Sequence, residues 1–168
     1  CTPEKKVNEL PKLHNRWLLQ MRGGVGFIQS RSPGHPKLPT YFGSVYASRR
    51  WRGKNKYFFG TDMASCESNY AFLRMYELFP GKERSYSWDG AVFIGNEFLF
   101  GRLGLMTQVG VYYKQKYLKQ DPIYQKLGAN YYIIKKEHGP VKELFVSALL
   151  KTHMIIAEVA EFGIGIGL

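Results

Sequence analysis

The chain has 168 residues, enough for one domain with a real core and too few for two comfortable ones. Aromatic residues make up 15% of it beside 18 glycines, a mix that favours strands over helices, and no apolar run is long enough for a transmembrane helix. The net charge is +11. Its lysines and arginines fall in short clusters ("RRWRGKNK", "KQKYLKQ", "IIKKEHGPVK") without zinc spacing, a phosphate loop or a nucleic-acid motif. Nucleic acid is therefore set aside as a partner in favour of an anionic membrane surface.

Residues 1–16 are polar, carry two prolines and read as an N-terminal tether ahead of a barrel domain over 17–168. No charged start followed by an apolar stretch is present, so no signal peptide is expected within the sequence. The two cysteines permit at most one intrachain disulfide; Cys66 reads as a small buried residue. Cys1 has two readings of equal weight, an acylated lipoprotein cysteine and a simple boundary.

From Trp17 onwards eight segments alternate in polarity: Trp17–Ile28, Tyr41–Trp51, Lys56–Cys66, Ser87–Phe100, Leu103–Tyr113, Tyr124–Lys135, Glu143–Met154 and Val159–Leu168. Most have the length a tilted strand needs to cross a bilayer. The first sets Trp17, Leu19, Met21, Val25 and Phe27 against Gln20, Arg22, Gly24 and Gly26. In the seventh, Leu144, Val146, Ala148, Leu150 and Met154 oppose Ser147, Lys151 and His153. The last, "EFGIGIGL", puts Phe162, Ile164, Ile166 and Leu168 on one face and Glu161, Gly163, Gly165 and Gly167 on the other. A helix would lose roughly 1 kcal/mol at each of those glycines. A water-soluble sandwich or lipocalin would show charge, not glycine, on its second face. Glycine with a few charges suits a narrow lumen, where Arg22, Asp62, Glu97 and Lys151 are placed to pair.

The links agree. "QSRSPGHPKLPT", the stretch from Glu67 to Tyr86 and "KQKYLKQDPI" are long and polar, whereas "RGKN", "GR" and "KEHGPVK" are short. Only the last hairpin, around Ile155–Glu158, is short at the looped rim. The fold class predicted is all-β, an eight-stranded antiparallel up-and-down transmembrane β-barrel with its first and last strands paired. Trp17, Trp51, Tyr57, Tyr113 and Tyr124, at segment ends, read as an interfacial girdle.

His153 is the residue most suggestive of chemistry. It falls on the lumen face near the looped rim, with Glu158 and Glu161 just across the hairpin. A histidine held by a carboxylate is the base half of a serine hydrolase site, although a lone polar lumen histidine is the commoner occurrence. No nucleophile accompanies it. Ser147 is about 20 Å down the same face, and Thr152 is expected to point the other way. Glu97 reads as an ion-pair partner of Arg22 or Lys151. His14, His35 and His138 lie in the tether, a loop and a turn, none with metal-ligand spacing, and no cofactor or metal is expected.

Three stretches, "GNEFLFGRLGLMTQVGVYYK", "DPIYQKLGANYYI" and "LFVSALLKTHMIIAEVAEFGIGIGL", resemble the C-terminal part of the acyloxyacyl hydrolase-like, lipid A deacylase-related outer-membrane proteins of the Bacteroidetes type. The resemblance covers residues 87–168 well and Trp17–Cys66 loosely. It implies an eight-stranded barrel related to enzymes that remove an acyl chain from lipopolysaccharide, in the outer membrane of a Gram-negative bacterium. In that family a His-x-Ser pair on the penultimate strand works with a Glu on the last. Carried onto this sequence, His153 takes the histidine position, Glu158 or Glu161 the acid, and Ile155 the serine position. A base without a nucleophile makes no acyl-enzyme.

The sequence reading is thus a non-catalytic outer-membrane barrel, a structural or accessory subunit of an envelope complex that touches lipopolysaccharide and other outer-membrane proteins. An active lipid A ester hydrolase using His153 with Ser44 or Ser48 is the first alternative. A soluble lipocalin-like binder is the second.

Overall fold

A computed structural model describes residues 17–28, 39–51, 53–115, 121–136, 138–153 and 156–168. The tether, Cys1, His14 and His35 lie outside the described residues, as do Met154 and Ile155. Eight strands follow in order: β1 (Trp17–Ile28), β2 (Pro39–Trp51), β3 (Asn55–Cys66), β4 (Trp88–Phe100), β5 (Leu103–Lys114), β6 (Ile123–Lys135), β7 (Glu143–His153) and β8 (Ile156–Gly167). Each pairs antiparallel with the next, and β8 pairs with β1 from Gln20↔Gly167 to Ile28↔Val159, which closes the barrel. Closure leaves no unpaired sheet edge.

The alternation read from the sequence is the alternation of burial. On β5, Leu103, Leu105, Val109 and Val111 are exposed while Gly104, Met106, Gln108 and Gly110 are buried. On β8, Phe162 and Ile164 face outward and Glu161, Gly165 and Gly167 inward. Crowding explains the glycines. A side chain at Gly165 would enter the ring of Phe145, and one at Gly104 would strike the Glu97 carboxylate. Trp17, Trp51, Tyr57 and Tyr113 are exposed at strand ends, as a girdle requires. Tyr124 is not: it is 1% exposed and lies in the lumen. It shares the inward phase of Lys126, and position at a segment end misleads where phase does not.

The link after β3, read as a polar loop, contains two helices, α1 (Glu67–Met75) and α2 (Glu83–Ser87). The fully buried Leu73 and the bond from Asn69 Nδ2 to the Tyr86 carbonyl (2.9 Å) hold them together. Nothing in this stretch alternates with period two, and the single buried leucine anchors α1 without a long apolar face.

Between β7 and β8 the register slips by one residue, from Lys151↔Val159 to Thr152↔Ala157. Glu158 is the extra residue of this bulge. Its backbone belongs to β8, but its side chain lies outside the described residues. Thr152, expected to point outward, is buried like its neighbours Lys151 and His153. The bulge accounts for the lost alternation, since an extra residue re-aims the side chains beside it.

Candidate functional site: a charged lumen with His153 at its mouth

The inward faces build two polar clusters separated by an aromatic belt. Nearest the tight rim, Glu143 accepts hydrogen bonds from Gln20 Nε2 (2.5 Å), Lys56 Nζ (2.6 Å) and Arg50 Nη2 (2.9 Å). Lys56 reaches Glu97 as well (3.6 Å), and Glu97 accepts from Asn130 Nδ2 (2.8 Å) and the Tyr132 hydroxyl. The partner of Glu97 is therefore Lys56, where the sequence suggested Arg22 or Lys151. Cross-lumen partners are set by strand stagger and closure, which alternation does not encode.

Above this cluster Tyr46, Phe58 and Phe93 pack with ring centroids 5.5–6.0 Å apart, joined by Met106 and Leu149. The belt fills the middle of the lumen, and the Arg22 guanidinium lies over the ring of Tyr46 (5.8 Å).

Towards the looped rim Asp62 Oδ2 accepts from the Tyr124 hydroxyl (2.6 Å) and Gln108 Nε2 (2.7 Å) and pairs with Lys126 (3.0 Å). Lys126 also pairs with Glu161 (2.8 Å). Arg22 donates to Ser44 Oγ at 3.2 Å. Asp62, Glu97 and Glu143 each meet a cation and polar donors, and Glu161 meets the Lys126 ammonium, the condition under which burial of charge is tolerated.

His153 ends β7 at the mouth. It is 8% exposed, its ring stacks on Tyr112 (centroids 5.9 Å, 9° between planes), and its Nε2 lies 3.2 Å from the Tyr112 hydroxyl. Glu161 faces Leu149 in register, four residues below His153 on β7, or about 13 Å at strand rise. Ser147 is lower still, opposite Gly163. Ser44 sits against Arg22 on β2, and Ser48 donates to the Leu18 carbonyl (3.5 Å) nearer the tight rim. The structure thus brings His153 together with Tyr112, and Glu161 together with Lys126.

The model of the family described as "acyloxyacyl hydrolase, C-terminal domain" matches residues 15–168. The chain belongs to this family. No curated protein and no solved structure matches it significantly. Membership of the acyloxyacyl hydrolase family agrees with the resemblance carried by the sequence, and the family match takes in the whole barrel, including the part where that resemblance was loose.

The inward phase of the fifth segment (Gly104, Gln108, Gly110, Tyr112) placed Tyr112 in the lumen, whereas sequence reasoning missed Tyr124 and Glu143, although the same phase was there to be extended to each. Among the described residues no group of three or more His, Cys, Asp or Glu side chains is placed to hold a metal ion.

Proposed function

We propose that this acyloxyacyl hydrolase-family barrel is an integral protein of a Gram-negative outer membrane that does not hydrolyse lipid A. In this reading it serves as a structural or accessory subunit of an envelope complex and touches lipopolysaccharide through its basic loops. One observation carries the membrane reading: large apolar side chains are exposed on all eight strands, among them Met21, Val45, Phe59, Ile94, Val109 and Ile164. A water-soluble monomer rarely exposes so large a contiguous apolar surface, and a soluble lipocalin-like binder is disfavoured for that reason. An open apolar trough of about 600 Å³ on this wall, lined by Gly23, Val25, Tyr131, Ala148 and Phe162 among others, would be filled by lipid chains.

The non-catalytic reading rests on Ile155 at the position of the family's serine. The tyrosine 3.2 Å from His153 Nε2 is a poor substitute, since a phenol is not the serine alcohol that a neutral imidazole activates. Mass spectrometry of lipid A from cells with and without the gene tests the proposal. Identical acylation is the expected result. Lipid A one acyl chain short, restored to full length by His153→Ala, would refute it.

A further inference from the structure

The net charge of +11 is shared unevenly between the two ends of the barrel. At the tight rim Arg49 lies near the end of β2, Arg52 and Lys54 in the link after it, and Arg102 in the link after β4. Lys135, Lys136 and Lys142 bracket the link after β6. Two more cations of this end, Arg50 and Lys56, turn into the lumen and pair with Glu143 and Glu97. Glu137 is the one further acidic side chain of these links, so the sequence sets seven cations against one acid outside the lumen. Residues 1–16 add four cations and two acids, so no choice of ion pairs there reverses the excess. Counting the inward groups as well, the tight end holds nine cations and three acids, and the looped end nine and six. The longest link of the looped end is neutral, with Glu67, Glu77 and Glu83 against Arg74, Lys82 and Arg84.

Backbone hydrogen bonds fix these charges in place. The Lys54 carbonyl accepts from Leu99 N (2.7 Å) and the Arg102 carbonyl from Tyr132 N (2.8 Å). Lys142 closes its own link by accepting from Lys136 N (2.7 Å) and ties it to β8 by donating to the Gly167 carbonyl (2.8 Å). Lys54, Arg102 and Lys136 are exposed. One level in from the links, Arg49 shares the outward phase of Val45 and Trp51. It stands in register between Trp17 of β1 and Tyr57 of β3, both exposed, and its guanidinium carbon is 5.6 Å from the Trp17 ring centroid.

We propose that the tight rim is a binding collar for the phosphodiester headgroups of anionic phospholipids, whose acyl chains lie on the apolar wall beside Trp17, Trp51 and Tyr57. The inference rests on the membrane reading and assigns the anionic lipid to the rim opposite the long loops, the rim that faces the periplasmic leaflet in an outer-membrane barrel. Two features select lipid over an acidic protein seated end-on. Arg49 projects from the wall at the level of the aromatic girdle, where a headgroup reaches and a partner resting on the links does not. The cations also occupy all three tight links, a ring that matches lipids packed around a barrel better than one docked partner. Ammonium and guanidinium groups donate charge-assisted hydrogen bonds to phosphate oxygens, and basic side chains at a membrane surface draw anionic lipid to it.

Two of the three tryptophans, Trp17 and Trp51, belong to this rim and Trp88 to the other, which makes fluorescence a local probe. The test refolds the full chain carrying Trp88→Phe into vesicles of phosphatidylcholine and phosphatidylglycerol, with bromine on the acyl chains of one lipid at a time. Bromine quenches tryptophan on contact, so comparing the two quenching curves gives the relative affinity of the rim for the anionic lipid. A preference for phosphatidylglycerol of about threefold or more is expected, falling as salt is raised. Lys54→Gln, Arg102→Gln, Lys136→Gln and Lys142→Gln together should remove most of it while leaving quenching by brominated phosphatidylcholine intact. If that variant does not refold, the salt titration of the Trp88→Phe protein still decides. Equal quenching by the two lipids at low salt overturns the proposal and leaves the collar to an acidic protein. A preference undiminished by high salt or by the four substitutions overturns it too. Quenching by neither lipid takes the barrel out of the bilayer, and the membrane reading falls with the proposal.

Discussion

At Glu143 an amide, an ammonium and a guanidinium converge on one fully buried carboxylate. Removing it takes from Arg50 its carboxylate partner and leaves Lys56 with Glu97 at 3.6 Å, both inside the barrel. Glu143→Ala should therefore lower stability by about 3–5 kcal/mol, read as a fall in the urea midpoint of the refolded protein. Gly165 tests the opposite limit. Gly165→Val forces a side chain into the Phe145 ring and should cost about 1–3 kcal/mol in the same assay, despite the better strand propensity of valine. The identity of inward residues was legible in the sequence because period two fixes a face once any member is known. Their pairing was not. Lys56 meets Glu97 and Lys126 meets Asp62 because strands lean and close, and no spacing along one strand contains that information. Tyr124 shows where residue type misled: tyrosine at a strand end suggested a girdle, while its phase with Lys126 put it beside Asp62.

At the scale of elements, strand boundaries were read to within about three residues, since most of the long runs of alternation end beside Pro, Gly or charge. The bulge at Glu158 was not legible, because one inserted residue near a hairpin looks the same in sequence as a shorter loop. It matters for the candidate site, since it leaves Lys151, Thr152 and His153 buried in succession. Helices α1 and α2 escaped for a different reason: they dock on the fold by Leu73 and lack a periodic apolar stripe. The strand faces make a prediction of their own. Ile164 is 62% exposed on β8, opposite Gly23 in the middle of β1. In lipid vesicles Ile164→Lys should cost about 2–4 kcal/mol of folding free energy, whereas the same change on a wall facing water would cost little.

At the scale of the whole molecule, the family and the closed barrel are consistent with each other, and a lumen packed with ion pairs and rings makes a rigid wall. The resemblance paired His153 with Glu158 or Glu161 in a hydrolytic arrangement. The structure puts Glu161 on Lys126 and His153 beside Tyr112. Purified barrel incubated with lipopolysaccharide should release no fatty acid above a His153→Ala control, assayed by mass spectrometry of the lipid extract.

The central claim, that the apolar wall faces lipid, is tested most directly by spin labels placed singly at Met21, Val45, Ile94, Val109 and Ile164 in a cysteine-free background, with the barrel refolded in vesicles. The account predicts that each label is quenched by dissolved oxygen, which partitions into lipid, and protected from a water-soluble nickel chelate. Access of the chelate to labels all around the wall would contradict it and return the molecule to water.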